Sequence, residues 1–355
     1  MSKRIVARYL LEHFAVATGV VLMLLLILFG FLSFTEALED VGKGTFRTTD
    51  AISIVLLSLP AIMLDVLPVA VLLGSIIGLG NLANHQELIA MRAAGVSKAA
   101  LVWVFFGIGV VLGAAIIAIQ LFLIPVAEHQ VQEFKARALT QTARGGGEFW
   151  SRDGTRVIHV GSVEFGRVPT SIEIYELDQH HRLSELITAA KAEVVSRHKW
   201  RLIDATTTVI ASDDVNVTRS AELEWDSFLN PQQMQTLITA PEALSVLELH
   251  QFLQSTAQSG VDNRLLESLY WQKLSLPAAV LAMLLLGLPV AISAIRPRTT
   301  GVRVVIGGSI GILFYLLQQF SGQATELFGV APPVAAFLPT VVILAITFSA
   351  LNRQH

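Results

Sequence analysis

Long apolar runs separated by short polar connections fill the first 127 residues and recur from residue 274 to the end, and between them lies a polar block, Glu128–Lys273, of 146 residues. A bilayer core about 30 Å thick asks for roughly 20 consecutive apolar residues in a helix. Uncharged runs that meet this length are Phe14–Thr35, Ala99–Ala127, Leu274–Ile295, Val304–Thr325 and Leu327–Asn352. One more, Ala51–Gln86, is 36 residues long with a single charge, Asp65. A straight helix of that length overshoots a bilayer. We therefore expect a span from about Met63 to Asn84, preceded by an interfacial helix over Ala51–Ile62 that Pro60 closes. Asp65 then lies near the water boundary, as a carboxylate reaching for the interface or as a functional charge in a cavity.

Inside the polar block the pattern changes to that of strands. Trp150–Val160 reads as a hairpin joined at Asp153-Gly154, and Ser171–Leu177, Glu185–Val195 and Lys199–Ile210 carry β-branched or aromatic residues at alternate positions. Such spacing suggests a sandwich or jelly roll over residues 145–228. An open sheet edge could pair with a partner's strand, or a gap inside could hold an acyl chain; the plainer alternative is a domain that covers the spans. Ser245-Val246-Leu247-Glu248 is a capping box that opens a helix ending near Ser259-Gly260, and a second helix begins near Asp262. The fold class is a six-span α-helical membrane protein with an all-β domain inserted between the third and fourth spans. Its parts are 1–127, 128–273 and 274–355.

Composition agrees. Only 15% of residues are charged, against about 25% in soluble proteins, and mean hydropathy is +0.61. A net charge of -3 with no basic run excludes nucleic acid as a partner. With zero cysteines there is no disulfide, thiolate or cysteine-metal chemistry. Lys3, Arg4 and Arg8 precede the first span as in a signal peptide, but its 22 uncharged residues mark a retained anchor helix.

Six spans put both termini on one side. With that side inside, Lys3, Arg4, Arg8, Arg92, Lys98, Arg296, Arg298, Arg303 and Arg353 are inner, and the short outer loops hold only Lys43 and Arg47. The positive-inside rule then directs the β domain away from the cytoplasm.

Catalytic signatures are missing from the sequence. There is no Walker A motif, no H-E-x-x-H and no G-x-S-x-G. Gly78-Leu79-Gly80-Asn81-Leu82-Ala83 imitates a dinucleotide fingerprint, yet no strand precedes it, and close helix packing by small residues explains it better. His180-His181 falls in a turn-like cluster. Asp65, the one ionisable group well inside an uncharged run, has no partner for acid–base work. The chain is not an enzyme on this reading, and any work against a gradient is driven from outside it.

Between the second and third spans, residues 84–96 form a short inner helix with Leu88, Met91 and Ala94 at helical spacing beside Glu87 and Arg92, stopped by Gly95. It could anchor in the interface or dock into a groove of a cytoplasmic protein.

The run Glu87–Ser97 resembles the coupling helix of the LptF/LptG family of lipopolysaccharide export permeases. Pro68–Gly80, Phe149–Gly154 and Gly301–Val305 resemble the same family, as do Phe314–Phe320 and Gly329–Pro333, the last two being nearer its LptG branch. The resemblance implies a half-transporter in the bacterial inner membrane, with a periplasmic β-jellyroll and no cofactor of its own. ATP and Mg would be held by an LptB-like ATPase dimer underneath. It also implies an LptF-like partner subunit, an LptC-like single-span protein and a periplasmic jellyroll bridge that receives lipopolysaccharide. Glu87, Leu88, Met91, Arg92, Ala94 and Gly95 would receive the ATPase stroke. The first and fifth spans would line a lipid cavity, with Leu32, Phe34, Phe314, Leu317 and Phe320 against acyl chains. Some relatives carry lysines at the outer end of the first span. Ser33, Glu36, Glu39 and Asp40 stand there in this chain and would repel phosphate unless a divalent cation bridges them. The phosphate role moves to Lys43, Arg47, Lys135 and Arg137, whose alternative is to be solvated interface charges. A membrane scaffold or sensor whose β domain binds a partner is the competing function.

Overall fold

A computed structural model of the chain describes residues 3–43, 45–95, 97–139, 149–164, 168–178, 182–196, 199–211, 214–227, 244–256, 264–292 and 300–352. Its helices are α1 (Lys3–Leu38), α2 (Thr48–Asn84), α3 (Glu87–Ala93), α4 (Lys98–Ala118), α5 (Ile124–Leu139), α6 (Val246–Thr256), α7 (Arg264–Ile292), α8 (Thr300–Phe328) and α9 (Pro332–Asn352). Among the described residues six helices are long and apolar enough to cross a membrane: α1, α2, α4 continued into α5, α7, α8 and α9. The chain divides into two compact units. One comprises residues 1–37, 55–127 and 267–355, and the other Leu38–Ile54 with Glu128–Leu266.

Two of the expected boundaries change. Pro60 does not close a separate interfacial helix, because α2 runs unbroken through Pro60 and Pro68. Each proline leaves one carbonyl, of Leu56 or Leu64, without its usual donor. An apolar surrounding offers the rest of the backbone no other partners, so the helix continues around the gap. The sixth span starts later than Leu327. Leu327 and Phe328 end α8, Gly329 turns the chain with φ +64°, and Pro332 opens α9 at a position where its missing N–H costs nothing.

In the membrane unit α2 is the central helix. Its buried residues Leu72 and Ile76 share a cluster with Ala279, Met283 and Leu286 of α7 and Phe314 of α8. Small residues let its neighbours approach. A side chain at Gly74 would collide with Thr18 of α1, and one at Gly78 would lie 3.1 Å from the carbonyl oxygen of His13. The fingerprint-like glycines are thus packing residues.

Between α4 and α5, Ile119–Leu123 forms one π turn. The wider turn keeps Ile116, Gln120 and Ile124 buried on one face. The Gln120 amide donates to the Lys273 carbonyl at 3.0 Å. That carbonyl is the one Pro277, lacking an N–H, cannot satisfy within α7.

The β unit holds one six-stranded antiparallel sheet in sequence order: β1 (Phe149–Asp153), β2 (Arg156–Glu164), β3 (Val168–Leu177), β4 (Leu183–Val194), β5 (Lys199–Ala211) and β6 (Asp214–Asp226). The first hairpin turns at Gly154-Thr155, one residue later than the Asp-Gly pair suggests, because Asp153 still pairs with Arg156 and Gly154 takes φ +59°. The sixth strand had no counterpart in the sequence reading.

Pairing is skipped along one row that crosses the sheet through Gly161, Ser171, Ala190, Asp204 and Ala221, while the residues flanking each stay in register. Ser171 and Asp204 have φ of +52° and +55° there, and a Cβ on Gly161 would lie 3.0 Å from that of Ser171. The sheet is creased at this row. Ile158, Ile172, Ile174 and Ile187 before it, and Ala192, Leu202, Trp200 and Trp225 beyond it, form one buried cluster. On the other face Trp150 stacks over His159 at 4.2 Å, and the Tyr175 hydroxyl donates to Glu173 at 2.5 Å. That bond and burial raise the Tyr175 pKa.

Helix α6 begins with the expected box. Glu248 N–H donates to Ser245 Oγ at 3.2 Å, and Ser245 N–H to Glu248 Oε2 at 2.8 Å. The other Glu248 oxygen lies 3.5 Å from His129 of α5. Residues 257–263 lie outside the described set, so the end near Ser259-Gly260 does too.

Candidate coupling site and cavity wall

Helix α3 is only seven residues long, too short to be stable by propensity alone, so its position comes from packing. Met91 supplies that packing. It is buried in one cluster with Val6 and Leu10 of α1, Leu82 of α2 and Leu101 of α4. Gln86 and Gly95, at φ +60° and +92°, turn the chain before and after the helix. Glu87 at its start accepts a hydrogen bond of 2.7 Å from the Tyr9 hydroxyl of α1. Ala90, Ala93, Ala94 and Gly95 are exposed. The side chains of Leu88 and Arg92 lie outside the described residues. Met91 and Glu87 thus fix α3 to the bundle, while Ala90, Ala93 and Ala94 stay exposed, where a groove on another protein could meet them.

Close to the same end of α2, the Arg303 guanidinium of α8 donates from Nη1 to the Gly80 carbonyl at 2.9 Å. Arg303 is 4% exposed, and its Nε has no partner among the described residues. A Cβ at position 80 would lie 2.8 Å from Nη1 and would push the guanidinium aside. An arginine in the middle of a membrane helix costs about 2.5–3.5 kcal/mol to insert. Position near the helix end reduces that cost without removing it.

Four of the five expected wall residues are open. Leu32, Leu317 and Phe320 are exposed and Phe34 is partly so. Phe314 is corrected: it is 2% exposed and packs with Leu72, Ile76 and Met283, because its position on α8 faces α2 and α7. The neighbouring exposed Leu313 and Leu316 continue the open face. Phe29 of α1 and Tyr315 of α8 meet edge to face at 6.5 Å, so the two helices meet near that face.

The basic residues nominated for phosphate are distributed differently from one another. Lys43 is exposed and already pairs with Asp40 at 2.6 Å. Arg47 is exposed, and its backbone N–H caps against Asp50 at 2.8 Å. The side chains of Lys135 and Arg137, and all of His180-His181, lie outside the described residues. Asp65 is exposed on α2 and lies within the field of Lys273 of α7.

Tyr9, Arg303 and Gln120 are the residues that sequence reasoning did not nominate. Arg303 was counted only as an inner charge, and a buried cation in an otherwise apolar helix was the signal available. Nothing marks Tyr9, whose partner is 78 residues away.

Six apolar helices, an inserted antiparallel sheet and a short helix held between the second and third spans by Met91 and the Tyr9–Glu87 bond define a polytopic membrane protein. The model of the lipopolysaccharide export system permease LptF/LptG family matches residues 8–353. The chain belongs to this family. It is 28% identical over 359 residues to the lipopolysaccharide export system permease protein LptG of Haemophilus influenzae, covering 98% of each chain. It is likewise 28% identical over 354 residues to the protein of that name from Escherichia coli K12, again covering 98% of each.

Proposed function

We propose that this chain is an LptG-type permease subunit that moves lipopolysaccharide from the inner membrane toward the outer membrane. It is non-catalytic. Force comes from an LptB-like ATPase dimer, which holds ATP and Mg and docks against α3. An LptF-like subunit completes the transmembrane part, an LptC-like single-span protein joins it, and a periplasmic jellyroll bridge receives the lipid. Both termini are cytoplasmic and the sheet is periplasmic, in keeping with the inner excess of Lys and Arg.

The observation that carries this reading is the state of α3: too short to stand alone, held by Met91 and Tyr9, and exposed on its remaining side. Membership of the lipopolysaccharide export permease family over residues 8–353 supports it. Leu32, Phe34, Leu317 and Phe320 form the acyl-chain wall on this reading, and Lys43, Arg47, Lys135 and Arg137 meet the lipid phosphates, the first in competition with Asp40. Replacing a docked carboxylate by a cation removes one bond and adds a repulsion, worth at least about tenfold in binding. Glu87→Lys is therefore expected to lower both ATPase co-purification and lipopolysaccharide export by that factor. Full retention of both would overturn the assignment.

A further inference from the structure

Beside the packing of Met91, two hydrogen bonds tie α3 and the adjoining end of α2 to other helices. The Tyr9 hydroxyl bonds Glu87 at 2.7 Å. The Tyr9 ring itself is braced on α1, with its centroid 4.3 Å from that of His13. Arg303 bonds the Gly80 carbonyl at 2.9 Å, seven residues before Glu87. The first bond belongs to α1 and the second to α8, the two helices that carry the exposed Leu32, Leu317 and Phe320.

Neither bond is what packing alone would select. A leucine could fill the place of Arg303 without burying a charge whose Nε stays unpartnered among the described residues. A phenylalanine could pack against His13 as the Tyr9 ring does. What the polar groups add is direction: each fixes one point of an outer-reaching helix to the backbone or side chain of the coupling segment.

We propose that Tyr9–Glu87 and Arg303–Gly80 are ties through which a displacement of α3 reaches α1 and α8, with Tyr9 and Arg303 acting as positioning residues. The proposal rests on the reading of α3 as the ATPase-docking helix. Both helices are continuous between tie and wall. Leu32 is 23 residues beyond Tyr9 and Phe320 is 17 beyond Arg303, or about 35 and 26 Å at 1.5 Å per residue. A pull at the inner end therefore tilts the wall as a lever does. Met91 keeps the helix docked when a tie is removed, so docking and transmission are separable.

The test uses the assembled complex with its ATPase in proteoliposomes, comparing Tyr9→Phe and Arg303→Met with the unaltered chain. Co-purified ATPase, ATP hydrolysis and lipopolysaccharide released per ATP are measured together. Each variant should keep the ATPase bound and hydrolysis within about twofold, and release about fivefold less lipid per ATP. Unchanged release per ATP in Tyr9→Phe, with or without a lower melting temperature, overturns the proposal. That variant decides the matter alone where Arg303→Met fails to assemble. Glu87→Lys run alongside separates the two readings: loss of ATPase binding there, with normal release per ATP in Tyr9→Phe, refutes the ties and leaves the docking role standing. Intact binding and export in Glu87→Lys removes the docking role and the proposal together.

Discussion

Gln120→Leu isolates a single hydrogen bond whose worth can be reasoned from both of its ends. The bond spans 3.0 Å between the buried Gln120 amide and the Lys273 carbonyl. Losing a donor to a buried carbonyl costs about 1–3 kcal/mol in water-soluble proteins. Side-chain bonds between membrane helices average about 0.6 and reach about 1.7 kcal/mol. Because Pro277 cannot serve this carbonyl, the upper part of that range applies, and about 1 kcal/mol is expected. Pro277→Ala supplies the missing N–H from within α7. In that background the glutamine becomes redundant, and Gln120→Leu should cost less than about 0.3 kcal/mol. Equilibrium unfolding of the full chain in mixed micelles, run as a double-mutant cycle, reads the difference. Equal costs in the two backgrounds would show that the proline has nothing to do with the glutamine, and the account of the π turn would fail.

Two further outcomes follow from the sheet. Trp200 is 1% exposed, and its Nε1 has no hydrogen-bond partner among the described residues; Trp200→Phe removes that donor while leaving a small void, so it should stay within about 1 kcal/mol of the unaltered chain, whereas Trp200→Ala should cost about 3–5 kcal/mol in the same unfolding assay. Glu185 faces Glu176 directly across two strands, and burial, then that neighbour, raises its pKa. An acid with a raised pKa favours the fold at low pH and opposes it as pH climbs through the raised value. Glu185→Gln is therefore expected to raise stability at neutral pH by about 0.2–1 kcal/mol, and to have no effect below the ordinary carboxyl range; an equal effect at both pH values would refute the like-charge account.

The spans were legible because membrane helices obey one rule of length and polarity, and Phe14–Thr35 or Val304–Thr325 could hardly be read otherwise. The continuity of α2 was not, since Pro60 breaks helices in water and the sequence does not say which solvent surrounds it. Strand β6 was hidden for a different reason. Its apolar residues alternate at Val215 and Val217 and again at Ala221, Leu223 and Trp225, but the polar Thr218, Arg219 and Ser220 split the pattern into two runs too short to stand out. At the candidate site Glu87, Met91 and Gly95 stood out from helical spacing and a stop signal. Leu88 and Arg92 came from the same pattern, but their side chains lie outside the described residues. Phe314 was nominated through the resemblance, which assigns the fifth span to a cavity without saying which of its residues turn toward α2 and α7 instead. Tyr9 could not be found at all, since its role exists only once two distant segments are brought together.

The row through Gly161, Ser171, Ala190, Asp204 and Ala221 makes the sheet resemble a book with a creased spine. Its two leaves are not locked at a fixed angle by an unbroken ladder, so the angle is governed by what lies between the pages, chiefly Trp200, Trp225 and the facing isoleucines. A spine of this kind can accept contents of different thickness at little backbone cost. Residues such as Asp204, which look dispensable by every measure of burial, then set how far the volume opens.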